Sequence, residues 1–219
     1  MTPLRSRSFL PQLEAHREAL AACRRCAQLP AGAGPILSGA RRPVAMLIGQ
    51  APGKVETTDR RPFAGRAGRT LFSWLGRAGL DEATARDRIY IAAMTRCYPG
   101  PHPSGRGDRV PSTSERVACG SWLEAELQLL EPPVLLLVGR LAIERFLPPR
   151  PLVELVGRTM EVRHGGGRSL AIPLPHPSGA SSWLNLPANR ALVDRALAHV
   201  AREVGALIAA DRATRRRAG

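Results

Sequence analysis

Four short apolar runs set the limits on what this chain can become. They are VAMLIG (44–49), RIYIAAM (88–94), VLLLVG (134–139) and SLAIPL (169–174), and each is bounded by glycine, proline or charge. Runs of this length without polar alternation read as strands buried on both faces. Between them lie segments with helical spacing at 67–80, 112–130 and 140–147, with Ser114 placed to cap the second. A further helix is predicted at 8–22 and a long one at 187–210. Strands alternating with helices predict an α/β fold: a single three-layer domain, with a central four-stranded parallel sheet and helices on both faces. Residues 1–210 form that domain. Residues 211–219 are read as a basic C-terminal tail that frays. No internal repeat and no second domain is visible.

In such folds ligands bind beyond the carboxyl ends of the strands, so the residues after each run matter most. The first is followed by Gly49-Gln50-Ala51-Pro52-Gly53, then Glu56 and Asp59, then Arg61-Pro62-Phe63-Ala64-Gly65. Two glycines and a proline in five residues force a sharp turn. Phe63, in a loop between charged residues, is a poor core residue and a good stacking platform. The second run ends at Ala92-Ala93. The fourth is followed by Pro175-His176-Pro177-Ser178-Gly179, where flanking prolines restrict the backbone that carries the imidazole.

Charge narrows the partner. The chain has 32 basic and 18 acidic residues, a formal net charge of +14, and Lys54 is its only lysine. A balance this basic points to a polyanion, most simply nucleic acid. Runs such as Val134 to Val138 are far too short to span a bilayer. Arg5 and Arg7 near the start are followed by no apolar stretch of signal type. The expected location is cytoplasmic, nucleoid-associated and of bacterial type, with no membrane partner, and the expected state is a monomer.

Cys23 and Cys26 form a CxxC at the end of the first helix, Cys97 follows the second strand, and Cys119 lies in the helix after it. In a reducing compartment four such cysteines are metal or cluster ligands rather than disulfides. Four thiolates suit a structural zinc or an iron–sulfur cluster.

Taken together, GQAPG, Glu56, RRPFAGRAG, YIAAMTRCYPG, ERVACGSWL, VLLLVGRLA and the HPS loop resemble the uracil-DNA glycosylase superfamily, and within it the iron–sulfur branch called family 4. The resemblance runs over roughly residues 20 to 200. It implies a DNA repair enzyme that flips uracil out of DNA and hydrolyses its N-glycosidic bond. Base flipping costs a few kcal/mol of unstacking. By the same resemblance Cys23, Cys26, Cys97 and Cys119 would hold a 4Fe-4S cluster, and Phe63 is the base platform. His176 is the donor to the uracil oxygen, helped by backbone groups around Gly49, Gln50 and Ala51. Glu56 is the carboxylate for water or for the sugar cation, with Asp59 second. Ser178 would touch a phosphate. Trp183 or Leu184 would wedge into the duplex, and Arg190, Arg106 and Arg109 would add phosphate contacts.

Three departures bear on substrate choice. Ala93 stands where many relatives carry an asparagine that reads the uracil edge. Ala51 offers no side-chain acid or amide, and Gln50 replaces a glutamate. The insert between Cys97 and Cys119 is longer than usual for family 4, similar in length to that of relatives that become trapped on DNA through a histidine. Here the corresponding residues are Gly107-Asp108-Arg109, so trapping is not expected. The substrate is therefore expected to be uracil or another deaminated base in DNA. The alternative is a catalytically weak DNA-damage-binding protein on the same fold. An iron–sulfur electron carrier would leave Phe63, His176 and the basic charge unexplained.

Overall fold

The computed structural model describes residues 9–26, 29–105, 107–178 and 182–218. The four apolar runs are strands β1 (Ala45–Gly49), β2 (Ile89–Ala93), β3 (Val134–Val138) and β5 (Gly167–Leu174). A fifth strand, β4 (Met160–His164), completes a sheet of order β2-β1-β3-β5-β4. β1 pairs in parallel with β2 and β3, and β3 with β5. β4 is antiparallel to β5, with Val162 opposite Ser169. The sheet is thus five-stranded and mixed, not four-stranded and parallel. The reason lies in MEVRH itself: Val162 is its one buried residue, so an edge strand with Glu161 and Arg163 outward leaves almost no apolar pattern.

Alternation along the strands divides the core. One face presents Leu47, Ile91, Leu136 and Ile172 to Leu71 and Leu75 of α3 (Arg66–Arg77) and to Val193 and Leu197 of α8 (Pro187–Ala218). The other presents Met46, Ile48, Tyr90, Leu135 and Leu137 to Leu13 of α1 (Leu10–Ala21), to Leu123 and Leu127 of α5 (Thr113–Leu130), and to Ile143 of α6 (Arg140–Phe146). This is the expected three-layer arrangement. Short helices α2 (Lys54–Asp59), α4 (Glu82–Arg88) and α7 (Leu152–Leu155) fill the connections.

Two local expectations change. Ser112, not Ser114, caps α5: its hydroxyl accepts from the Glu115 N–H (3.2 Å), while Glu115 accepts from the Ser112 N–H (2.7 Å). The basic residues expected to fray continue α8 to Ala218. Asp211 anchors that extension by accepting from Arg88 (2.7 Å) and Arg215 (3.0 Å). Among the described residues no helix is long and apolar enough to cross a membrane.

Candidate active site and cysteine cavity

A cavity of about 510 Å³ opens at the carboxyl ends of β1, β2 and β5. Gln50, Ala51, Glu56, Phe63, Ala93, His176 and Ser178 all line it, so the fold gathers loops that the sequence keeps more than a hundred residues apart. Lys54, Arg66, Thr95 and Asp108 line it as well.

The Phe63 ring rests on Gly49 at the end of β1. A Cβ there would stand 3.1 Å from Phe63 Cζ and 3.3 Å from Cε2, so the ring occupies the space a side chain would take. Phe63 has φ 51°, a left-handed conformation that costs a bulky residue about 1–3 kcal/mol. Arg86 of α4 offsets that cost. Its Nη1 donates to the Pro62 carbonyl (2.8 Å) and its Nη2 to the Phe63 carbonyl (3.2 Å). The guanidinium also lies 4.2 Å from the centre of the Phe72 ring and donates to Glu82. Nothing in the sequence around Arg86 marks it; the fold brings α4 to the loop.

His176 has one edge against Gly139, where a Cβ would meet its Cδ2 at 3.1 Å; Gly139 has φ +86° and needs to be glycine on both counts. The Ser178 N–H donates to His176 Nδ1 (3.2 Å), with Ser178 Oγ 2.8 Å from the same nitrogen. An Nδ1 that accepts a backbone N–H carries no proton, so the neutral ring bears its hydrogen on Nε2. Burial pushes the imidazole below its ordinary value, in the direction that keeps it neutral.

Glu56 is 7% exposed. Its Oε2 accepts from the Gly53 N–H (2.8 Å) and its Oε1 from the Gly65 N–H (3.0 Å). The carboxylate thus ties the turn after β1 to the loop that carries Phe63. Asp59 is exposed on α2 and is not part of the cavity wall. Arg109 makes a two-point contact with Glu115 (2.7 and 2.5 Å), which pulls that carboxyl down to about 2. Its charge is therefore already matched. Arg106 lies outside the described residues, as do Gly179 to Ser181.

Trp183 and Leu184 sit in a short 3₁₀ turn (Ser182–Asn185), half-buried against the core beside α8 rather than projecting. The neighbouring Leu186 is 60% exposed. Arg190 donates to the carbonyls of Leu184 and Asn185 (3.0 Å each) and so shapes this loop. Lys54 and Arg66 are exposed cations lining the cavity that sequence reading did not single out, and Arg61 is exposed on the loop just before Pro62.

A second cavity, of about 460 Å³, is walled by Cys23, Cys26, Cys97 and Cys119 together with Arg24, Arg25, Arg60 and Arg96. All four cysteines are free thiols. Burial pushes Cys97 up to about 12, with the other three thiols adding to the shift. Among the described residues no group of three His, Cys, Asp or Glu side chains is arranged to hold a single metal ion. The four thiols and four arginines line one cavity, a donor set that would suit an iron–sulfur cluster and would offset its negative charge. Arg96 joins the two cavities. Its backbone N–H donates to Cys119 Sγ (3.3 Å), its Nη1 donates to the Ala93 carbonyl (3.0 Å), and its Nη2 pairs with buried Glu126.

The sequence profile described as "Uracil DNA glycosylase superfamily" matches residues 38–201. Similar curated proteins include the type-4 uracil-DNA glycosylase of Thermotoga maritima, 30% identical over 133 residues, 61% of this chain and 64% of that protein. That of Archaeoglobus fulgidus is 29% identical over 138 residues, again 61% and 64%. The type-5 uracil-DNA glycosylase of Thermus thermophilus is 33% identical over 163 residues, 61% of this chain and 71% of that protein. The chain thus spans about 64% of the length of the two type-4 relatives. With the matched residues running through both loops of the cavity, the chain belongs to the uracil DNA glycosylase superfamily.

Proposed function

We propose that this protein is a DNA repair glycosylase that takes uracil, or another deaminated base, into the 510 Å³ cavity and hydrolyses its N-glycosidic bond to leave an abasic site. The observation that carries this reading is the pairing of an aromatic platform, Phe63, with a buried neutral imidazole, His176, on one cavity wall system. Cleavage leaves an electron pair on the departing base and positive charge on the sugar. His176, with its proton on Nε2, donates to the base oxygen where that charge collects, and backbone N–H groups around Gln50 and Ala51 add to it. A neutral donor suits the task, since it stabilises the departing anion by a hydrogen bond and keeps its own proton. Phe63 stacks on the base. Ala93 leaves the edge of the base without a reading side chain, so discrimination falls to backbone groups and to cavity shape.

The duplex is held through phosphate contacts from Ser178 and from the exposed cations Lys54, Arg61 and Arg66. Of the residues by the 3₁₀ turn, Leu186 is the most exposed and is the better wedge than Trp183 or Leu184 for filling the gap left by a flipped base. Cys23, Cys26, Cys97 and Cys119 would hold a 4Fe-4S cluster, which when bound cross-links α1, the strand end and α5. The protein acts as a monomer.

The test is direct. A uracil-containing oligonucleotide is incubated with the protein and treated with alkali, which breaks the strand at abasic sites. Strand breaks at uracil, absent with cytosine or thymine, are the expected result. Tight binding without breaks would favour the damage-binding alternative.

A further inference from the structure

Two carboxylates among the described residues line the cavity, Glu56 and Asp108. They are not equivalent. Both oxygens of Glu56 are committed to backbone N–H groups, which leaves it little capacity to hold a water or face a reacting sugar. Asp108 lies on the loop between Cys97 and α5 and is exposed at the cavity wall. Its Oδ2 sits against the turn after β1, 3.0 Å from where a Cβ on Gly53 would be. The buried Tyr98 hydroxyl donates to it, which fixes its direction.

The loop is a braced structure. Pro101 and Asp108 form an antiparallel bridge, the His102 N–H donates to the Gly107 carbonyl (2.9 Å), and the Arg109 N–H donates to the Gly100 carbonyl (3.0 Å). Arg109 is in turn clamped to Glu115 at the start of α5. Asp108 is thus held at the cavity by the bridge to Pro101 and the bonds of its neighbours, a condition for precise positioning.

Resting on the glycosylase reading above, we propose that Asp108 is the catalytic carboxylate. As the C1′–N bond breaks, its electron pair leaves with the base. The Asp108 carboxylate faces the developing sugar cation and accepts a hydrogen bond from a water. The water oxygen bonds to C1′, its proton passes to Asp108, and that proton then goes to the base anion or to solvent. The products are the abasic hemiacetal and the free base. The role belongs to this hairpin because Ala51, on the opposite turn, carries no acid.

The experiment is single-turnover cleavage of a uracil-containing duplex by the full chain, by D108N and by D108A, with duplex affinity and thermal midpoint measured in parallel. Both variants are expected to slow cleavage by at least about 100-fold, the scale of a lost general base, while in D108N, whose amide oxygen still accepts from the Tyr98 hydroxyl, affinity and midpoint stay close to the parent. Sodium formate is expected to restore part of the D108A rate by supplying a carboxylate to the vacated space. A D108N rate within threefold of the parent overturns the assignment and leaves the glycosylase reading standing. So does a D108N loss that merely follows a fall in affinity or midpoint. A parent protein that leaves uracil in place overturns both.

Discussion

The ring of Phe63 lies on the backbone of Gly49, with only 3.1 Å between Phe63 Cζ and the point where a Cβ of residue 49 would stand. The base platform is therefore set by the absence of a side chain on β1. Gly49→Val should push the ring out of place while the strand, buried along its whole length, still forms. Phe63→Ala removes the platform itself. A stacked base is worth about 1–3 kcal/mol, so both variants should weaken capture of the uracil by about 5- to 150-fold. Binding of undamaged duplex, titrated by fluorescence anisotropy, should barely change.

Arg86 holds the same platform from behind through the carbonyls of Pro62 and Phe63. Arg86→Met leaves a strained loop without its two donors. The expected outcome is a higher KM for uracil-containing substrate, with a smaller change in kcat. Arg86→Lys, which can satisfy one carbonyl, should recover part of the loss. Equal effects of Lys and Met would show that charge on α4 contributes nothing and that the two-point guanidinium contact is what matters.

Glu56→Gln tests a different function, the tie between two loops. The amide keeps one acceptor and turns its NH₂ toward a backbone N–H. Leaving one buried donor unpaired costs about 1–3 kcal/mol. The thermal midpoint should fall, and activity should fall in step with it. This separates Glu56 from Asp108, where the Asn variant keeps an acceptor for the Tyr98 hydroxyl and is expected to leave stability unchanged.

His176→Ala should slow single-turnover cleavage by about 100- to 1,000-fold, the usual cost of one donor to a developing anion. The pH profile carries a second signature. Burial lowers the His176 value below 6.5, so the ring stays neutral as the pH falls through 6.5 and the rate holds there. The sign for stability follows from the same shift. A group whose folded value is depressed contributes stability that is present above its unfolded value and lost as the pH drops below it. Thermal midpoints measured from pH 8 to pH 5 should therefore fall at the acid end, and less so in His176→Ala.

Anaerobically prepared protein should be brown, with iron and sulfide near four each per chain if a cluster of that kind fills the cysteine cavity. Cys97→Ser should bleach the visible absorbance and lower the midpoint. Because Arg96 links Cys119 to the Ala93 carbonyl, cluster loss should also raise KM for the base. Stoichiometric zinc in place of iron would contradict the cluster.

How far the sequence could be read depended on how each element is stabilised. β1 and β3 are buried at every position, so they stand out as apolar runs. β4 owes its place to pairing with β5 and buries Val162 alone, and pattern cannot detect it. α2 is six residues with no apolar stripe and exists because Glu56 folds back on Gly53. The loops after β1 and β5 were legible because turn residues punctuate them. Arg86 and Asp108 were not, since each reaches the cavity through tertiary packing from a segment of ordinary composition. Trp183 invited a role in contact with DNA, yet beside α8 it packs inward and leaves Leu186 to the surface.

The placement of Lys54 has a practical consequence. It lines the cavity mouth and is the only lysine in the sequence. Apart from the terminal amine, an amine-directed fluorophore has a single place to attach, at the rim where DNA would enter. The arginine bias of the chain thus gives a site-specific optical reporter without engineering, and emission from a dye at Lys54 would register the arrival and departure of a nucleotide in real time.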